Sequence, residues 1–381
     1  MGNSIQHLAD GVHLIASAKT WIEGKAIQQL HHTASLPGMR RVAGMPDLHP
    51  GRGYPVGAAF FSIGRLYPAL IGNDIGCGMA LWQTSLPRTK YSASKLEKNL
   101  GNIDGPLESH WQERIASLGL PYSGYETALG TIGGGNHFAE LQTLDAIYVP
   151  AMLESAGLDK SKLLLLVHSG SRGFGQAILQ RHVETHNHQG LEEGSSACAD
   201  YLAQHEAALR YAHANRQLIA RRMLERLRAE GDCLLDIDHN LLSCETINGE
   251  TGWLHRKGAT PATQGLVVIP GSRGDYSYLV KPLPSANSLF TLAHGAGRKW
   301  MRSECKERLA SRYKLQQLSR TVLGSHVICD DRELIYEEAP EAYKNIETVI
   351  DSLQSAGLIE PVARLKPVLT YKTRRESNSC C

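Results

Sequence analysis

Five short apolar runs in this chain each break off into a loop that carries a reactive side chain, and that recurrence limits the fold more than any other feature. Leu70-Ile71 leads to Asp74 and Cys77, the run 163–167 leads to His168-Ser169-Gly170-Ser171-Arg172-Gly173, and the run 234–238 leads to His239-Asn240. The run 266–269 leads to Pro270-Gly271-Ser272-Arg273-Gly274, and the run 289–293 leads to His294-Gly295-Ala296-Gly297-Arg298. Apolar runs this short read as buried strands. Strands that aim loop residues at one cleft make a precise site, so mixed sheets converging on a polar cleft are expected.

The segment Gly72-Asn73-Asp74-Ile75-Gly76-Cys77-Gly78-Met79 brings a carboxylate and a thiol together in a glycine-rich turn, where the backbone can bend sharply. A thiolate can bridge two divalent ions and a carboxylate adds a hard oxygen, although the same segment also suits a turn around a buried core cysteine. Gly133-Gly134-Gly135-Asn136-His137-Phe138-Ala139-Glu140 adds another histidine after a triglycine, and seventeen histidines in the chain invite a search for ligands. Asp74, Cys77, His137, His168 and His239 suffice for two ions if Cys77 bridges them. Ligand softness suggests zinc or another first-row metal, and the carboxylate with a phosphate substrate leaves room for manganese. His294 lies among small residues that let a backbone approach phosphate, with Arg298 placed to pair with it. It reads either as a nucleophile toward phosphorus or as a metal or phosphate ligand. Arg172, Arg273, Arg302 and the run His255-Arg256-Lys257-Gly258-Ala259-Thr260 supply cations of the kind that position a nucleic acid without reading its sequence. Ser-Gly-Ser-Arg-Gly and Pro-Gly-Ser-Arg-Gly look like one phosphate-holding device used twice.

Around these motifs the expected elements are few. Residues 1–45 read as a strand, a helix over 21–30 and a linker; residues 45–57, dense in Gly and Pro, read as a fixed loop whose Asp47 and His49 either orient ligands or shape the turn. Residues 201–230 predict a helix with Leu202, Leu209, Ala212, Ile219, Met223 and Leu227 on one face, stopped by Gly231, with His205 and His213 as packing or surface residues. A second helix opens at Pro340 and ends at Gly357. The polar tail 373–381 carries Cys380-Cys381 as exposed thiols. Hydrophobic content of 42% allows a large core, and a net charge of +2 requires any nucleic acid to be held by local patches. No signal peptide, disulfide framework or membrane-length apolar run is visible, so a cytoplasmic protein is expected. No linker cuts the chain, which predicts a single domain over 1–381 with an N-terminal segment 1–44, a catalytic core 45–372 and the tail 373–381.

These motifs, Gly-Asn-Asp-Ile-Gly-Cys-Gly-Met, Gly-Gly-Gly-Asn-His-Phe, His-Ser-Gly-Ser-Arg-Gly, His-Arg-Lys-Gly-Ala-Thr and His-Gly-Ala-Gly-Arg, stand in the order in which they occur in the RtcB RNA ligases, and the chain resembles that family from about residue 45 to residue 372. The resemblance implies an α+β fold of its own, without a P-loop, in which glycine-rich loops at strand ends form a dinuclear metal cleft. It implies two Mn²⁺ ions, one held by Asp74, Cys77 and His137 and the other by Cys77, His168 and His239. His294 matches the histidine that takes up GMP from GTP. The guanylate pocket implied by the match comprises Asn136, His137, Phe138, Ala139, Glu140, His239, Asn240, Pro270, Gly271, Ser272, Arg273, Ser277, His294, Gly295, Ala296, Gly297 and Lys372. RNA contacts fall to Arg172, Lys257 and Arg302. The implied reaction joins RNA 2′,3′-cyclic phosphate or 3′-phosphate ends to 5′-hydroxyl ends through histidine–GMP and RNA-3′-pp-5′-G, in RNA repair. The short chain, loops 45–55 and 259–262, and Met301 in place of a usual small residue resemble the branch coupled to release factor H. A dinuclear phosphodiesterase and a non-catalytic RNA-binding translation factor stand as the alternatives.

Overall fold

An unbroken apolar run forms a strand buried on both faces when sheets and helices cover it from two sides. In the computed structural model, which describes residues 4–374 apart from 90, 91 and 264, strand Lys162–Ser169 is such an element. Leu163, Leu165 and Val167 enter a core with Trp82, Ile219 and Met223. Leu164 and Leu166 point the other way, into a core with Met79, Val268 and Leu279. The strand lies inside an eight-stranded sheet in the order Gly231–Asp238, Gly78–Pro87, Lys162–Ser169, Phe138–Ile147, Ile359–Thr373, Ser277–Pro282, Val267–Pro270, with His326–Cys329 beside Ile359–Thr373.

A six-stranded sheet runs in the order Ile5–Ala9, Val12–Ile15, Met39–His49, Val56–Ser62, Glu250–Lys257, Asn240–Ile247. One residue, His239, separates the edge strand of one sheet from the edge strand of the other. Helix Gly24–Ala34 covers the six-stranded sheet through Ala26 and Leu30, and helix Ile346–Ser355 covers its other core through Val349, Ile350 and Leu353. Among the described residues no helix is long and apolar enough to cross a membrane.

Several elements differ from the sequence reading. Two strands, not one, precede the first helix, which spans Gly24–Ala34. The expected linker and the first part of the 45–57 loop are strand Met39–His49, whose pairing shifts register between Gly44 and His49, the irregularity that accommodates Pro46. Leu70 belongs to a 3-10 turn, Pro68–Leu70, so Asp74 and Cys77 follow a turn and not a strand. The long helix spans Ser196–Arg226; it starts early because the Ser195 side chain accepts from the Cys198 amide, and it stops before Gly231, which opens a strand. It is buried on several sides, including Asn215 and Arg216 at 0% exposure. His205 is a packing residue whose Nε2 accepts from the Leu242 amide. Pro340 opens only a 3-10 turn; Tyr343 is extended, and Asn345 caps a fresh helix. Thr373 ends a strand, while Cys380 and Cys381 lie outside the described residues.

Gly78 pairs with a strand on each side, and a Cβ there would fall 2.4 Å from the Ile237 carbonyl oxygen and 2.9 Å from the Asp238 Cα. Gly78→Ala is expected to lower stability by ~1–3 kcal/mol, the usual cost of overpacking, read as a fall in the urea midpoint with unchanged m.

Candidate metal centre and nucleotide cleft

Strand register brings the sequence-distant candidates together. Gly78 faces both Asp238 and Ser169, Met79 faces His168, and His168 faces Phe138. Cys77, His168, His137 and His239 therefore lie at the level ends of four adjacent strands. Cys77 Sγ is 3.2 Å from His168 Nε2 and 3.4 Å from His137 Nε2, and His137 Nε2 is 2.8 Å from Asp74 Oδ2. The ligand atoms of Cys77, His168 and His239 lie within 4.8 Å of one another, as do those of Asp74, Cys77 and His137. Cys77 belongs to both groups.

The surroundings orient these groups. His168 Nδ1 lies 3.1 Å from the Asn136 carbonyl and His137 Nδ1 3.2 Å from that of Ile132. A carbonyl only accepts, so His168 carries its proton on Nδ1 and presents the Nε2 lone pair to the cluster, whereas His137 lies between the Ile132 carbonyl at Nδ1 and the Asp74 carboxylate at Nε2. Burial, then the Asp74 carboxylate, pushes the Cys77 thiol well above its usual range. Burial, then neighbouring imidazoles, holds His168 and His239 well below theirs. Burial opposes ionisation of Asp74, but the charge and hydrogen bond of His137 outweigh it. Asp74 Oδ1 and His239 Nδ1 are buried with no partner. Two imidazoles that burial keeps neutral, a thiol that needs a nearby cation to ionise and two orphaned polar atoms fit a site for divalent ions.

His294 faces this cluster, its ring 4.8 Å from that of His239. Its Nδ1 is 2.6 Å from Oδ2 of the fully buried Asp47, which also accepts from the His294 amide at 3.2 Å. The imidazole thus holds its proton on Nδ1 and offers Nε2. The loop after it crosses Asp47 closely: at Gly297, with φ +69°, a Cβ would fall 2.2 Å from the Asp47 carbonyl oxygen. Lys344 Nζ donates to the carbonyls of Pro46 and Leu48, on either side of Asp47, at 3.0 and 2.7 Å. Of the two residues weighed as orienting groups, Asp47 is placed to do so; His49 Nδ1 meets the Asp47 backbone carbonyl.

A cleft of about 1030 Å³ opens from the cluster and is lined by Asp74, Cys77, His168, His239 and His294. Asn136, Phe138, Asn240, the residues 270–273 and 295–297, Lys372 and Arg302 also line it. Ala139 does not; it points into the core behind the sheet beside Leu141 and Val167. Glu140 and Ser277 stand one layer back: Gln142 bridges them, and the cleft residue Thr370 donates to Glu140. Arg172 and Lys257 lie outside the lining. Arg172 has φ +59° and sets Nη1 3.4 Å from His137 Nδ1, and Lys257 is pushed down to about 8 by burial. The two Ser-Arg-Gly loops are not one device. Arg172 precedes a helix, whereas Arg273 lies in a turn between two strands. Arg273 is buried, donates from Nη2 to the Ile335 carbonyl and keeps Nε and Nη1 unpartnered.

Arg298 is not free for phosphate. Its donors meet Trp300 and Glu337 carbonyls, Glu338, Tyr343 and Cys305. Glu338, 4% exposed, is the hub of that end of the cleft. Burial works against its charge, but Lys372, Arg298 and Arg302 hold it down at about 2. Glu338, Tyr343 and Lys344 escaped the sequence reading because 338–344 reads as a helix start.

An α+β chain that turns an open Cys/His/Asp cluster toward a carboxylate-held histidine across a basic cleft has the layout of a metal- and phosphate-handling protein. The family is more specific. A family model described as tRNA-splicing ligase RtcB matches residues 29–116 and 121–373, and the chain belongs to the RtcB family. It is 58% identical over 372 residues to RNA-splicing ligase RtcB2 of an Escherichia coli strain, covering 98% of each chain. RNA-splicing ligase RtcB1 of the same strain is 27% identical, with 94% of this chain and 97% of the relative covered. The tRNA-splicing ligase RtcB of Archaeoglobus fulgidus is 30% identical, with 91% of each covered.

Burial raises the Glu140 carboxyl from 4.5 to about 7, against hydrogen bonds from Thr370 and Gln142. The folded state therefore binds a proton that the unfolded state releases above about pH 4.5, and stability falls as pH rises from about 4.5 to 7 by ~3 kcal/mol at most. Glu140→Gln should flatten the urea-midpoint profile across that window.

Proposed function

We propose that this chain is a GTP- and manganese-dependent RNA ligase that joins 2′,3′-cyclic phosphate or 3′-phosphate ends to 5′-hydroxyl ends. The observation that carries the reading is His294, held by Asp47 through Nδ1 and set 4.8 Å from the ring of His239. Asp74, Cys77 and His137 would hold one ion, and Cys77, His168 and His239 the other. Bound there, divalent ions would act as Lewis acids toward phosphate oxygens. Membership of the RtcB family and 58% identity to an RNA-splicing ligase support the reaction, and the reading extends to a role in RNA repair with coupling to release factor H. The reading includes a cytoplasmic location, in keeping with membership of the family.

Asp47 keeps the Nδ1 proton in place while the His294 Nε2 lone pair attacks the α-phosphorus of GTP; a P–N bond forms and pyrophosphate leaves. Water opens the cyclic phosphate by breaking its bond to O2′, leaving a 3′-phosphate. An oxygen of that phosphate attacks the histidine-bound GMP, His294 leaves, and RNA-3′-pp-5′-G results. The 5′-hydroxyl then attacks the 3′-phosphorus, loses its proton and expels GMP. The unpartnered Nε and Nη1 of Arg273, with Lys372, supply donors toward the bound nucleotide. Glu140 backs this wall of the pocket through Thr370, one layer behind the cleft. Arg302 at the mouth, with Arg172 and Lys257 behind, favours the RNA phosphates.

The test is covalent labelling with manganese and GTP labelled on the α-phosphate. Acid-labile, alkali-stable label should form on wild type and vanish in His294→Ala. A wild-type chain that takes up ions yet never labels would leave a phosphodiesterase in its place. Cys77→Ser should lose both ions and labelling together, read by metal content after gel filtration. Asp47→Asn should remain folded and label ~10²–10⁴-fold more slowly, the scale seen when a buried carboxylate no longer fixes a histidine tautomer.

A further inference from the structure

One buried side chain ties together the three backbone segments that carry Cys77, His168 and His239. Arg216, in the long helix and remote from all three in sequence, has no exposed surface. Its Nη1 donates to the carbonyls of Gly76 and Ser169, its Nη2 to Asp238 Oδ1 at 2.6 Å, and its Nε to Asp236 Oδ1 at 2.5 Å. Gly76 precedes Cys77, Ser169 follows His168, and Asp238 precedes His239. We infer that Arg216 is a positioning residue for the ion assigned to Cys77, His168 and His239, fixing the spacing of those three ligands from behind.

A full charge in a dry interior is costly unless it is paired and hydrogen-bonded; of the four acceptors, three are adjacent in sequence to a ligand and the fourth, Asp236, lies on the strand that leads to His239. Neutralising carboxylates does not account for the arrangement. His213 also meets Asp236 and Asp238, at 3.4 and 2.8 Å, without touching either carbonyl. A planar fork can reach two carbonyls and two carboxylates at once; an ammonium, with three donors on one atom, cannot span them. The backbone is shaped to the fork, since a Cβ at Gly78 would fall 3.0 Å from Arg216 Nη1. Asp74 and His137 have no such tie to Arg216, so the pull is on one ion site more than the other. Neighbouring Asn215 extends the brace, accepting from the Gly130 amide and donating to Ser169 Oγ and the Gly170 carbonyl.

The inference rests on the metal reading above, and titration of the full-length chain with cobalt(II) separates the two. Stoichiometry is taken from metal content, and the Cys77 environment from the thiolate-to-cobalt charge-transfer band. Wild type should bind two ions; a wild type that binds none overturns the metal reading itself. Arg216→Lys, which keeps the charge and loses the fork, should retain one ion and bind the other ~10–100-fold more weakly, the usual cost of losing a group that orients a ligand. Arg216→Gln with Asp236→Asn replaces the pair with neutral amides should Arg216→Lys not fold, and the same loss is expected. His213→Gln, which touches the same carboxylates at the protein surface, should bind both ions as wild type does. Two ions bound with wild-type affinity by either folded Arg216 variant would overturn the inference. So would an equal loss in His213→Gln, because the carboxylates and not the fork would then be responsible.

Discussion

Four neighbouring strands that end level with one another are the constraint on which the site depends. A one-residue slip in any pairing would turn that strand's side chains to the other face of the sheet, and the burial of both faces forbids it. Leu163, Leu165 and Val167 on one side and Leu164 and Leu166 on the other lock the central strand. His168 cannot leave its place opposite Met79 and Phe138 without driving each of those sets into the packing made for the other. The apolar runs thus do more than form a core, because they fix the distances among groups that lie far apart in the chain.

The two ends of the cleft handle charge in opposite ways. At the cluster, histidines held neutral and a thiol held protonated by burial leave lone pairs waiting for a cation. At the other end one carboxylate, Glu338, is surrounded by Lys372, Arg298 and Arg302. Arg298 spends its donors on the protein, so it shapes that end without serving as a phosphate ligand. Arg273 is the reverse: burial lowers its affinity for a proton, and its unpartnered donors favour an incoming anion. Loop motifs do not distinguish these two arginines, because the difference lies in which carbonyls happen to be near.

The candidate site was legible where chemistry is written in residue type and local glycine. Asp74, Cys77, His137, His168, His239 and His294 all stand out as reactive groups in glycine-rich segments, and the fold brings all six together. Ala139 shows where a contiguous motif misleads: in a strand every second residue faces away, so inclusion between Phe138 and Glu140 does not bring it to the cleft. Strand Met39–His49 was hidden because Pro46 and nearby glycines read as a loop, while its bulge and burial depend on partners elsewhere in the chain. Arg216 was hidden for a related reason. On a helix an arginine reads as a solvated charge, and only the tertiary fold puts acceptors around it.

The cluster belongs to the eight-stranded sheet and His294 to the side of the six-stranded one, so something must hold the two in alignment. His239 does this with its backbone as well as its ring. Its amide donates to the Cys77 carbonyl at 2.7 Å, and its carbonyl accepts from the Ala259 amide at 3.0 Å. Ala259 in turn pairs with Ala293, the residue before His294. These three short links therefore carry position from Cys77 to the histidine that faces it. Asp47 and the Gly297 turn then set the ring's rotation. Because those links run through a single-residue corner between sheets, a hinge motion between the sheets would have to break them before it could separate His294 from the cluster.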